Sequence, residues 1–178
     1  MNDAPSPAPA PADPAAEQAD EPPSPPAAGV TVDLDAPDTE PPAAGWLADR
    51  LAEAVAAAGV GPATLVVRVV GDAEMDRLHR LHSGVEGTTD VLTFDNRDDP
   101  DEPIDGDLVL CVGEARRRAA ELGHDARAEL LLYAVHGLLH LAGEDDHDPD
   151  AHRRMHERED RILSEIGLGP VFHAGAAR

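Results

Sequence analysis

Three of the nine histidines fall in one stretch, LLLYAVHGLLHLAGEDDH, running from Leu130 to His147. His136 and His140 stand four residues apart among leucines and alanines, so on a helix both imidazoles project from the same face. Two imidazoles at that spacing can grip a metal ion. Gly143 offers a position where the helix can end in a left-handed residue, and Glu144, Asp145 and Asp146 carry the chain back toward the pair. His147 is then the natural third ligand. Three protein ligands on one zinc ion, with the fourth position left to water, make a catalytic site, because the open position lets the metal acidify water or polarise a substrate oxygen. Leu131, Val135, Leu138 and Leu139 flank the pair and predict a largely buried helix, whose imidazoles need partners that a metal supplies.

Other chemistry fits less well. A metallopeptidase helix also carries H-x-x-x-H, but with a Glu directly after the first His as general base; here Gly137 stands in that place. His152 and His156 form a second H-x-x-x-H among charged neighbours and are expected to be exposed. Arg154, Arg158 and Arg161 share one helix face, expected to be solvated beside Glu and Asp partners rather than to form a phosphate track. Glu129 lies on the helix side of His136 and could orient a ligand from behind. Cys111, the single cysteine, lies in the apolar run DLVLCV and reads as a buried thiol.

The elements that must position these residues follow from the apolar pattern. Residues 1–28 are mostly Ala, Pro, Asp and Glu, too broken by proline for a helix or strand, and are expected to be a disordered acidic tail. From Gly29, GVTVDLDA alternates like a half-buried strand. After a Pro-rich link ending at Pro42, residues Trp46 to Ala58 place Leu47, Leu51, Val55 and Ala58 on one helix face, stopped by Gly59 and Gly61. ATLVVRVV, ending at Val70, predicts a central strand, followed by a helix from Asp72 to about His82. Strands are expected at Thr88–Phe94 and Asp107–Val112, separated by a solvated acidic loop with Pro100 and Pro103. Helices follow at Gly113–Leu122, Asp125–Ala142 and Pro149 to about Ile166. The order β-α-β-α-β-β-α-α-α predicts an α+β fold, a single mixed sheet of about four strands with helices packed on it. One domain, residues 29–170, is expected between the tail and a short C-terminal tail at 171–178.

The 178 residues include 42% hydrophobic ones, enough for a real core. The formal net charge is −22, and every basic residue is an arginine, fourteen in all. Such a balance opposes broad affinity for nucleic acid, although local arginine strips at Arg116 to Arg118 and along Arg153, Arg154, Arg158 and Arg161 can survive a negative total. No basic segment leads into an apolar one at the N-terminus, and no apolar run approaches a membrane span, so a cytoplasmic protein is expected, with no membrane partner.

The residues also resemble a known family, the YbeY endoribonucleases of ribosomal RNA maturation. Their hallmark H-G-x-L-H-L-x-G-x-D-H is followed by HGLLHLAGEDDH from His136 to His147, with one extra acidic residue before the last His. TTDVLTF at Thr88 to Phe94 is similar to the family's P-T-D-V-L-S-F strand, and GDLVL at Gly106 to Leu110 to its G-D-I-x-I strand. The resemblance covers about Gly29 to Leu168. It implies one zinc per chain, held by His136, His140 and His147, with Asp146 the nearest substitute for the last. It implies a metallo-endoribonuclease, a hydrolase that cleaves single-stranded RNA in 3′-end maturation of small-subunit (16S) ribosomal RNA and in ribosome quality control. The partners would be single-stranded RNA, ribosomal RNA and the small ribosomal subunit. The reacting group would be the metal-bound water at these histidines, with no general base identified. Where family members carry a Tyr-Arg pair whose Arg meets RNA, this chain has His82 and Ser83, so the nearby Arg80 is the candidate RNA contact. Two other readings keep the metal: a zinc-stabilised, non-catalytic ribosome-associated protein, and a hydrolase of peptides or small molecules.

Overall fold

The computed structural model describes residues 28–35 and 44–171. The acidic tail, the Pro-rich link and the last seven residues lie outside the described residues. The order of elements is the expected one: β1 (Ala28–Asp35), α1 (Ala44–Ala58), β2 (Ala63–Val70), α2 (Asp72–Ser83), β3 (Val91–Asp95), β4 (Ile104–Cys111), α3 (Val112–Leu122), α4 (Ala126–Leu141) and α5 (Pro149–Glu165). The four strands form one sheet in the order β1-β2-β4-β3, with β1, β2 and β4 parallel and β3 antiparallel to β4. The α+β fold with one mixed four-stranded sheet is therefore as the sequence predicts.

The starts of β3 and β4 lie furthest from the pattern reading, each for a local reason. β3 begins at Val91 rather than Thr88, because the Asp90 carboxylate accepts from the Val91 N–H at 2.8 Å and from the Thr89 hydroxyl at 2.9 Å, holding the chain in a bend there. β4 begins at Ile104 rather than Asp107, because its pairing with β2 reaches back to Ile104 opposite Ala63. Parallel pairing overrides the polar composition of Asp105 and Gly106 there.

The sheet is covered unequally. Leu65, Val67 and Val69 alternate along β2 and join Leu108 and Leu110 of β4 in the main core, with Leu47 and Leu51 of α1 and Leu130 to Leu139 of α4. The opposite face carries a smaller cluster in which Met75 and Leu78 of α2 meet Val109 and Cys111. Helix α4 is apolar on all sides because the sheet, α1, α3 and α5 surround it. Among the described residues no helix is long and apolar enough to cross a membrane.

Cys111 is fully buried, and burial, with the Asp72 carboxylate beside it, pushes its thiol up to about 11. The thiolate is the reactive form. A thiol-specific disulfide reagent at pH 8 is therefore expected to leave the folded chain unmodified and to label one site per chain in urea.

Candidate metal centre

Helix α4 starts where the Asp125 side chain accepts from the Arg127 N–H, and it ends in a Schellman turn. Gly143, at φ 88°, lets its N–H reach the His140 carbonyl and the Glu144 N–H reach that of Leu139. The turn brings the Glu144 carbonyl over His140, whose Nδ1 donates to it at 3.0 Å. His136, one turn earlier, donates from Nδ1 to the Glu159 carboxylate at 2.7 Å. A carbonyl and an ionised carboxylate can only accept, so both Nδ1 atoms carry hydrogens. The two Nε2 atoms then face each other at 3.1 Å.

Two bare imidazole nitrogens do not sit that close without a positive charge between them. Burial is the largest single influence on His136 and opposes its charge, but the hydrogen bond to Glu159 and the carboxylates of Glu159, Asp90 and Asp146 together raise its pKa, whereas burial and the neighbouring His136 lower that of His140. A metal fits the same gap: two nitrogens on a tetrahedral zinc at about 2.0–2.1 Å stand roughly 3.3 Å apart. The donor set also includes Asp146, whose carboxylate oxygens lie 3.9 Å from each Nε2. His136, His140 and Asp146 bring their donor atoms within 4.8 Å of one another.

His147 lies elsewhere. Its side chain is 86% exposed, and its Nδ1 pairs with Asp145. Arg80 is on an exposed part of α2, paired with Asp76 at 2.7 Å, and does not line the cavity beside His136. That cavity, of about 280 Å³, runs along α4 past Tyr133, with Asp90, His152 and Asp146 also in its walls.

Three expectations need correction. His156 is buried rather than exposed: its Nδ1 donates to the second oxygen of Glu159 at 2.5 Å, and its ring stacks parallel to His136 at 5.9 Å. Glu129 is buried beside His124, at 3.0 Å, and Tyr133, so the carboxylate that orients His136 is Glu159, not Glu129. Arg158 is not simply solvated; its guanidinium donates to the Ala58 carbonyl at 2.8 Å and pairs with the Glu144 carboxylate. Glu159 itself is fully buried, yet the hydrogen bonds from His136 and His156 outweigh burial and hold its carboxyl below the ordinary range. It was legible only as an acidic residue on α5, because nothing in the spacing shows that α5 turns that side toward α4.

Gly137 is required by packing. A Cβ there would stand 2.7 Å from Leu108 Cδ2 and 3.0 Å from Thr93 Oγ1, so α4 lies on β3 and β4 with no room for a side chain. The general-base Glu of metallopeptidases has no place at this position. Gly137→Ala is expected to lower stability by about 1–3 kcal/mol, read as a fall in the urea midpoint with unchanged m-value.

The model of the family described as Endoribonuclease YbeY matches residues 39–167. The Endoribonuclease YbeY of Aromatoleum aromaticum is 44% identical over 107 residues, covering 60% of this chain and 68% of that one. That of Moorella thermoacetica is 39% identical over 132 residues, covering 67% and 85%. A Thermotoga maritima protein solved in solution shares the fold, with a TM-score of 0.52 and 24% identity over 76% of this chain and 90% of that one. The chain belongs to the YbeY endoribonuclease family.

Proposed function

We propose that the protein is a zinc-dependent endoribonuclease that cleaves single-stranded RNA, acting in 3′-end maturation of small-subunit (16S) ribosomal RNA and in ribosome quality control. The observation that carries the metal reading is the pair of Nε2 atoms at 3.1 Å, each imidazole held by an acceptor at its Nδ1. Family membership carries the RNA reading.

His136 and His140, with a third donor from the Glu144–His147 loop, would hold one zinc. The bound ion would supply Lewis acidity toward a phosphoryl oxygen and toward water. The chain's own residues prepare the site. Glu159 keeps the proton on His136 Nδ1 and so directs the bare Nε2 outward; the Glu144 carbonyl does the same for His140. The hydrogen bonds at both Nδ1 atoms hold the rings, so little ordering is left to occur when the ligand arrives. The cavity along α4 gives an RNA segment room beside the metal donors. The carboxylates around it oppose an RNA backbone, so the bound ion would have to supply the attraction for phosphate.

Cleavage of a single-stranded RNA by the zinc-loaded chain, against a duplex of the same sequence, tests the reading. Cut single strand and intact duplex support it; no cleavage by a chain holding stoichiometric zinc would favour a zinc-stabilised binding protein. The termini distinguish the route: a cyclic phosphate means attack by the ribose 2′-OH, and its absence means attack by water.

A further inference from the structure

We propose that the third metal ligand in this chain is Asp146 and that His147 takes no part in holding the ion. The inference rests on the metal reading above and settles which loop residue completes it. Both carboxylate oxygens of Asp146 are turned to the imidazole pair, one 3.9 Å from His136 Nε2 and the other 3.9 Å from His140 Nε2. Donors on one tetrahedral zinc stand roughly 3.3–3.5 Å apart, so a small movement of the Asp146 carboxylate brings an oxygen to that spacing. Only 29% of its side chain is exposed, and it forms part of the wall of the cavity that holds His136. His147, at 86% exposure, instead pairs through Nδ1 with Asp145.

The loop cannot readily exchange the two residues. At its start the Schellman bonds fix Gly143 and Glu144, and Arg158 grips the Glu144 carboxylate. At its end the Asp148 side chain accepts from the N–H groups of Asp150 and Ala151 and caps α5, with Pro149 in its first turn. Only three residues lie between these anchors. Bringing His147 to the pair would shift the chain by one residue and break either the turn or the cap.

A carboxylate in place of a third imidazole gives the loaded site one positive charge fewer and an oxygen donor. Two histidines and a carboxylate are a known catalytic zinc set. The same set also suits metals that favour oxygen, such as Mn²⁺.

The test is a zinc competition titration against a chromophoric chelator, using the full chain stripped of metal, with circular dichroism to confirm folding. Asp146→Ala and Asp146→Asn are expected to weaken zinc binding by roughly 100-fold or more, whereas His147→Ala stays within about 3-fold of the parent chain. Asp146→His restores a donor at the same place and is expected to recover most of the affinity, which guards against reading a loosened loop as a lost ligand. Loss of zinc in His147→Ala, or wild-type affinity in Asp146→Ala, would overturn the assignment. A parent chain that folds but binds no zinc would bring down the metal reading and this assignment together, an outcome distinct from the other two.

Discussion

His140→Ala is expected to abolish RNA cleavage while leaving the fold standing. His140 supplies one of the two Nε2 atoms that face each other at 3.1 Å, and removing it leaves no second nitrogen to share an ion with His136. Loss of a metal ligand should weaken zinc binding on the order of 1,000-fold, beyond the 10–100-fold typical of a partner behind the ligands. The side chain is 28% exposed and lies in the last turn of α4, so its deletion opens no cavity in the core. Metal-free stability should therefore change by about 1 kcal/mol or less, the common range outside the core. Zinc affinity, cleavage rate and the urea midpoint, measured on the same preparation, check this. Cleavage at the wild-type rate by a chain without zinc would remove the metal from the account.

Glu159→Ala is expected to be costly in a different way. Glu159 is fully buried and accepts from His136 at 2.7 Å and from His156 at 2.5 Å. Its removal leaves two buried N–H donors without an acceptor, at about 1–3 kcal/mol each, and releases His136 to turn or change tautomer. The expected result is a stability loss of about 2–5 kcal/mol together with a 10–100-fold fall in zinc affinity. Glu159→Gln separates the two effects. Its carbonyl oxygen can accept from one imidazole, but its amide hydrogens face the N–H of the other, so stability should partly recover while zinc affinity depends on which ring keeps its acceptor. Urea denaturation of the metal-free chain and a zinc titration report the two separately. An unchanged zinc affinity in Glu159→Ala would mean that α4 alone orients His136.

Much of this arrangement was legible in the sequence because it depends on local periodicity. The i, i+4 spacing places His136 and His140 together on any helix, and the leucines around them predict its burial. Element order and a mixed sheet followed from alternating runs and glycine stops. What could not be read was set by contacts between elements distant in sequence. His156 and Glu159 lie among charged residues, and only the packing of α5 on α4 turns that side inward. Glu129 was the expected orienting group, but α4 turns it toward His124, and Glu159 of α5 takes that place. The loop beyond Gly143 was ambiguous by one residue, since Asp146 and His147 both offer ligand atoms. The turn and cap at its two ends decide which one faces the pair. A histidine is the more conspicuous candidate in a sequence, but it is Asp146 that the backbone turns toward the pair.

The most direct measurement is a titration of zinc into the metal-stripped chain while cleavage of a single-stranded RNA is followed in the same sample. Cleavage should be absent at the start, rise in proportion to added zinc, and level off at one ion per chain. Cleavage that persists in excess chelator, or one tightly bound zinc with no cleavage, would contradict a catalytic metal at His136 and His140.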